Sequence, residues 1–417
     1  MRQEAAWYNQ PMRKLLAGLA VAALAWGADS RPKVRAITAF INIDARNYAS
    51  AVEDTVKFLS SARDAYRAAG FDVETIRVVT QPFPKWTAGM NRADALALVG
   101  KYAELGSKLG FTPNIGPAMV NDGDDTAPVD LLADILSTGI KTNASLIVAG
   151  EDGIHWRAIR EAARMVKAVS TRSPHGDGNL NFATAAMVKP YTPFYPAAYH
   201  LSPGRAFAVG LEGANMVADV FAHYKDPAEA EKQLEAALAR HLQAAEVVAN
   251  HVASVSGWPY AGMDPTPAPL GDVSIGRAIE NFTGAPFGAG GTMTAAAIIT
   301  RAVKAAPVKQ VGYSGLMVPV LEDNLLAKRW EEGTYNMDSL LAYSAVCAGG
   351  LDTVPLPGDI TEQQIARILG DVASLAYKWN KPLAARLLPA PGKKAGDRTE
   401  FADSRMANTV VQKLVGR

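Results

Sequence analysis

The sequence predicts an α/β fold, a large closed or nearly closed barrel of mainly parallel strands surrounded by helices. Three observations point there. Buried-strand patterns alternate with amphipathic-helix patterns, the order that yields a parallel sheet covered by helices. Strand-like segments recur from residue 34 to residue 388 with no linker between them, which favours one closed sheet over separate ones. The chain has 417 residues, 49% apolar and 20% charged, enough to bury a large core and unlike a disordered or collagen-like chain.

The elements follow in order. Val34 to Ile43 (VRAITAFINI) is β-branched and apolar, as a buried strand should be. Val52, Val56, Leu59, Ala62 and Tyr66 fall at helical spacing before Gly70, predicting a helix from Val52 to Ala69. A strand is expected from Phe71 to Thr80 and a helix from Ala93 to Leu109, closed by Gly110. Leu146 to Val148 precedes a helix from Trp156 to Ser170, and Phe182 to Val188 and Ala206 to Leu211 read as strands. Asp226-Pro227-Ala228-Glu229 joins an N-cap, a first-turn proline and an acid three residues after the cap, opening a long helix to Ser256. Trp258 to Leu270 (WPYAGMDPTPAPL) reads as a Pro-rich loop. Helices are expected over Met293 to Val303, Ser339 to Val346 and, after the capping box Thr361-Glu362-Gln363-Gln364, on to Trp379. Val311 to Leu316 and Leu387-Leu388 read as extended.

Residues 1–27 stand apart as a secretory signal peptide, with 28–417 as one barrel domain. Arg13-Lys14 precedes the apolar run Leu15 to Ala25, 11 residues long, and Ala25-Trp26-Gly27 places small residues where a signal peptidase reads. The run is too short to span a bilayer. Met12 stands where such a signal begins, and no Cys follows to carry a lipid. Export to the periplasm or outside the cell is therefore expected, without stable membrane insertion afterwards. The mature balance, 39 basic to 40 acidic residues, gives no field for a nucleic-acid backbone. Cys347 is the single cysteine, so no internal disulfide forms, and its Ala-Val-Cys-Ala setting suits a small buried residue better than a nucleophile. The oligomeric state is left open, a homo-oligomer included.

Three segments pair a Gly with a following Asp-x-x-Pro or Asp-Pro: Gly123 to Asp130, Gly262 to Pro267 with Asp272, and Gly350 to Asp359. Loops leaving the C-terminal ends of parallel strands converge on one face, where binding sites lie. Carboxylates brought there could hold a divalent cation, with Asp125, Asp264 and Asp352 as the candidate metal ligands, or bind a ligand's hydroxyls and amines. The plain alternative is that such Asp residues cap helices or turns, and it leads for Asp272 and Asp359. Gly290-Gly291-Thr292 opens an apolar helix and could admit an anion, or could simply start the helix. Lys393 and Lys394, flanked by Gly392 and Gly396, could clamp an anion or lie in a solvated loop. His200 ends the aromatic and Pro-rich stretch Pro193 to His200 and is the histidine best suited to acid–base work. No histidine pair has zinc spacing, and no Walker lysine or GxGxxG supports a nucleotide. Glu322 follows the apolar run Leu316 to Leu321, and Asp352 follows Gly349-Gly350, so each carboxylate emerges where a buried segment meets a loop.

Several segments together resemble an uncharacterised family, domain of unknown function 711. They are Val34 to Thr38, Ala206 to Glu212, Pro286 to Thr292, Gly312 to Asp323, Tyr343 to Cys347, Gly350 to Asp359 and Lys381 to Asp397. The resemblance covers nearly all of the mature chain and implies chiefly a fold: a pyruvate formate-lyase-like barrel of about ten strands. It implies no activity. The radical enzymes of that class need a nucleophilic cysteine and an Arg-Val-x-Gly-Tyr glycine loop. Leu387 to Gly392 departs from that motif, and an exported protein meets oxygen, so no glycyl radical is expected. No haem is expected either. The expected function is that of an enzyme acting on a small polar or anionic metabolite at the barrel mouth. Glu322, Asp352 and His200 would be catalytic, with Asp264, the Gly290–Thr292 turn, Lys393 and Lys394 binding the ligand. The alternative is a non-catalytic small-molecule binding protein.

Overall fold

The computed structural model describes residues 30–414, so the predicted leader over 1–27 lies outside the described residues. Ten strands form one mostly parallel sheet flanked by helices: β1 (Lys33–Ile41), β2 (Val73–Thr80), β3 (Thr112–Pro117), β4 (Asn143–Gly150), β5 (Gly153–Ile154), β6 (Phe182–Ala186), β7 (Ala206–Glu212), β8 (Tyr260–Asp264), β9 (Gly350–Pro357) and β10 (Leu383–Ala390). The strand order is β8-β7-β1-β2-β3-β4-β6-β10-β9, with β5 turned back on β4. Strands β1, β2, β3, β4 and β6 run parallel to one another. The sheet reverses direction at the β1–β7 and β6–β10 pairs, and beyond each reversal a further parallel strand, β8 or β9, forms the edge.

The expected α/β class and mainly parallel sheet are present, but the sheet is not closed by strand pairing, because β8 and β9 are not hydrogen-bonded to each other. The segment Lys309 to Leu321 touches both. Val311 donates its N–H to Met263 of β8 at 2.9 Å, and Val320 donates to Asp352 of β9 at 3.0 Å. Its contacts are isolated bridges, so the expected strand over Val311 to Leu316 does not form as a ladder.

The helices are placed by their local chemistry. Asp226 accepts from the Glu229 N–H and starts the Pro227–Ser256 helix, and the Thr361 capping box starts Glu362–Trp379. Gly110 in the left-handed region ends Arg92–Leu109. These helices bury their apolar faces against one side of the sheet in the main core, with Ile37, Leu59, Val78, Leu146 and Leu356 fully or almost fully buried. The opposite side is filled by two irregular excursions. Phe194, Tyr199, Tyr313 and Met317 pack with Ile147, Ala183 and Ala185, and Ala198 packs with Phe40, Val79 and Ala208. The excursion near Pro193 is tied down by Thr38, whose hydroxyl donates to Pro193 O at 3.2 Å, and by Asn114, whose amide donates to Pro196 O at 2.9 Å.

Two segments read as loops are strands. Tyr260–Asp264 forms β8 inside the Pro-rich stretch, and Gly350–Pro357 forms β9 through the Gly-Leu-Asp-Thr-Val-Pro motif. Proline lacks the N–H that a ladder needs, so Pro355 and Pro357 argued against a strand. β9 is an edge strand, where proline is tolerated.

Candidate functional site

Inside the curve of the sheet lies a cavity of about 130 Å³. Its wall is built from residues of six strands: Arg35 of β1, Arg77 of β2, Thr112 of β3, Asn143 of β4, Asp352 of β9 and Arg386 of β10. The strand contributions thus come from within the strands and not from the loops beyond their C-terminal ends, where a site was expected. The two excursions supply Tyr195, Tyr313, Met317 and Glu322, and the C-terminal segment brings Arg405 and Met406. A recess of similar volume beside Arg63, Arg67 and Glu74 has only exposed or half-buried charges and offers no comparable chemistry.

Glu322 and Asp352 meet at one guanidinium. Arg386 donates from Nη2 to Glu322 Oε1 at 2.6 Å and from Nε to Asp352 Oδ1 at 2.8 Å. The chain of charges continues: Arg35 lies 3.6 Å from Glu322 and donates to the buried Glu212 at 2.7 Å. Burial alone would raise both cavity carboxyls. For Glu322, Arg386 and Arg35 more than reverse that and hold it below the usual range. For Asp352 burial wins, aided by the neighbouring negative charge of Glu322, and its carboxyl is raised despite Arg386. Two adjacent carboxyls pushed in opposite directions are a natural acid–base pair.

The backbone beneath Asp352 is distorted. The β9–β10 register shifts between Ala385 and Leu387, so that Asp352 and Thr353 share a bulge opposite Arg386. Thr353 has φ +48°, a left-handed conformation unusual for a β-branched residue. Its hydroxyl accepts the Leu321 N–H at 3.0 Å, which fixes the bulge to the Glu322 segment. A bulge of this kind re-aims a side chain at a cost of about 1–3 kcal/mol.

The other sequence candidates lie elsewhere. Asp264 is fully buried, accepting from Thr266 N, Thr266 Oγ1, Tyr313 N and Ser314 N at 2.6–3.1 Å. Burial still pushes its carboxyl up to about 6. Gly312, at φ +71°, leaves room for it: a Cβ there would stand 2.2 Å from Asp264 Oδ2. Asp125 accepts the Ala127 N–H at 3.1 Å at the start of a helix. Gly290 and Gly291 form the turn into the Thr292–Ala305 helix, and the Thr292 hydroxyl accepts the Gly288 N–H. Lys393 pairs with Glu400 at 2.7 Å and Lys394 is exposed; neither lines the cavity. His200 is fully buried with Nε2 2.8 Å from Ile41 O, and burial lowers its basicity. Cys347 is buried, and burial raises its thiol. Asp125, Asp264 and Asp352 do not converge. Among the described residues no three His, Cys, Asp or Glu side chains stand together as a metal site.

The family model described as uncharacterised ACR (DUF711) matches residues 28–405. The chain belongs to this family. Relatives similar to it include a UPF0210 protein of Pyrobaculum aerophilum, 31% identical over 312 residues, which are 72% of this chain and 68% of the relative. A UPF0210 protein of Desulforudis audaxviator is 29% identical over 355 residues, covering 80% of this chain and 78% of that one. The match to one from Pyrobaculum arsenaticum is 31% over 283 residues and spans 62% of the relative's length. None of these names states an activity.

The sequence reading missed the arginines. Arg35 interrupts VRAITAF, Arg77 interrupts TIRVVT and Arg386 interrupts AARLLP, each a lone guanidinium in an apolar strand. That pattern was the available signal, since a charge in a buried strand needs a partner or a ligand.

Proposed function

We propose that this DUF711 protein is an exported enzyme acting on a small polar or anionic metabolite in the cavity between Arg77 and the Glu322–Arg386–Asp352 cluster. In this reading the sheet is a nearly closed, pyruvate formate-lyase-like barrel whose free edges are spanned by Lys309 to Leu321, and the cavity is its interior site. Asp352 carries a proton to or from the substrate, and Glu322 stays ionised. Arg386 holds both carboxyls in place and steadies developing negative charge. The observation that carries this is the pair of cavity carboxyls held by one arginine, with Asp352 aimed at it from a strained bulge. Export is part of the reading, on the leader pattern; the N-terminal residue of protein recovered from cells decides it.

The test begins with native mass spectrometry and metal analysis of the purified protein, followed by turnover assays on the small acids found. Asp352→Asn should lower kcat by a factor of about 100 or more while ligand affinity changes little. Unchanged kcat removes Asp352 from the chemistry. A ligand that binds but is never turned over would favour the binding-protein reading.

A further inference from the structure

Four arginines line the cavity, and three have carboxylate partners. Arg35 is paired with Glu212, Arg386 with Glu322 and Asp352, and Arg405 with Asp403 at 2.6 Å. Arg77 differs. It is buried, with 8% of its surface exposed. Its Nε donates to the Thr75 hydroxyl at 3.1 Å and its Nη1 to Pro193 O at 3.2 Å. Its guanidinium carbon lies over the Tyr195 ring, 4.7 Å from the centroid. Among the described residues no carboxylate lies within ion-pair distance of it.

A guanidinium has five N–H donors, and the two contacts use Nε and one Nη1 hydrogen. The remaining donors have the fork geometry that binds two oxygens side by side. Burial, with Arg35 nearby, lowers its proton affinity to about 10, so it stays charged at neutral pH. Tyr195 fixes the ring plane while its own hydroxyl donates to Val78 O or Thr112 O, both at 3.1 Å, so the stack cannot swing away from the strands. A buried cation held only by neutral acceptors is costly for a purely structural role and well suited to an anionic ligand.

The rest of the cavity narrows the class of anion. Glu322 and Asp352 share it with Arg77 and would repel a second negative charge on the ligand. They would welcome a hydroxyl or an ammonium. A volume of about 130 Å³ limits the ligand to a few heavy atoms. We propose that Arg77 anchors the carboxylate of a small hydroxy- or amino-monocarboxylic acid, whose hydroxyl or ammonium faces Asp352 and Glu322. This rests on the reading of the cavity as the functional site and names its substrate class.

The experiment is a thermal-shift and calorimetric comparison of the full chain with lactate, serine, propionate and inorganic phosphate. Lactate or serine should raise the wild-type midpoint, propionate less, and phosphate least. Arg77→Gln should abolish the shift and weaken binding by about tenfold or more. Arg77→Lys, which keeps the charge but not the fork, should fall between them. Wild-type protein unmoved by every acid, a response to phosphate alone, or an Arg77→Gln variant that binds like wild type would each overturn the proposal. Failure of the enzymatic reading looks different: acids would still bind through Arg77, while Asp352→Asn changed no rate.

Discussion

Two buried carboxylate regions flank the Lys309–Leu321 excursion, and they are built in opposite ways. Asp264 is surrounded by donors that belong to neighbouring backbone and one hydroxyl, all within loops it pins together. Glu322 and Asp352 are met by guanidiniums from distant strands and face a cavity. In the first, Oδ1 takes three donors and Oδ2 one, all from the fold itself, and the group does not line the cavity. In the second, the charges balance one another but remain within reach of a guest. A buried Asp is therefore not a site by burial alone; the kind of donor around it decides.

The largest expected effect tests the Asp264 side. Asp264→Ala strips acceptors from four buried donors and should cost about 3 kcal/mol or more in urea unfolding. Its pH dependence gives a sharper check. The folded carboxyl, at about 6 against an ordinary 3.8, holds its proton more tightly than the unfolded one. Its contribution to stability is thus full below pH 4 and declines as pH rises toward 6, by up to about 3 kcal/mol. Glu322, lowered by its arginines, has the reverse sign: its contribution is present above its ordinary value of 4.5 and lost on acidification. Asp264→Ala should therefore flatten the decline between pH 4 and 6. A decline that persists undiminished would mean the donors hold Asp264 ionised throughout.

Next comes the cluster itself. Arg386→Met leaves two largely buried carboxyls without their shared partner and should cost about 3 kcal/mol at neutral pH. Both carboxyls then favour their protonated forms, so the deficit against wild type should shrink as pH falls through 5. A deficit independent of pH would show that Arg386 contributes by packing rather than by charge, and that the two carboxylate regions do not differ in the way proposed.

How far the sequence reveals these regions depends on the kind of interaction that makes them. Helices with local caps were legible because the signal lies within four residues, as at Asp226 and Thr361. Strands β1 and β7 were legible from β-branched, largely apolar runs, and β2 from its alternation. β9 was hidden because its prolines suit an edge strand, and edge status is a property of the whole sheet. β8 was hidden by the Pro-rich run around it. Glu322 and Asp352 were singled out from their position after buried segments, and they do converge. What unites them is Arg386, 34 residues from Asp352 and 64 from Glu322, and no local pattern reports that pairing. His200 and the Gly290–Thr292 turn stood out for composition that serves packing and helix start instead.

The smallest expected effect separates the cavity from the loop once grouped with it. Lys393 and Lys394 were expected to close over an anion held by Glu322 and Asp352. Lys393 instead pairs with Glu400 at the surface, and its backbone carbonyl accepts the Gly358 N–H at 2.9 Å. That backbone bond survives truncation of the side chain, and an exposed ion pair adds little. Lys393→Ala should therefore leave the thermal midpoint, the lactate shift and any turnover at wild-type values. A lost lactate shift with an unchanged midpoint would bring the lysine loop back to the ligand, for instance by closure over Arg405, which is exposed beside the cavity. Lys393 would then be a charge recruited only when the ligand is bound. If the shift persists in Lys393→Ala and vanishes in Arg77→Gln, the anion is held from within the sheet, and the surface lysines have no part in it.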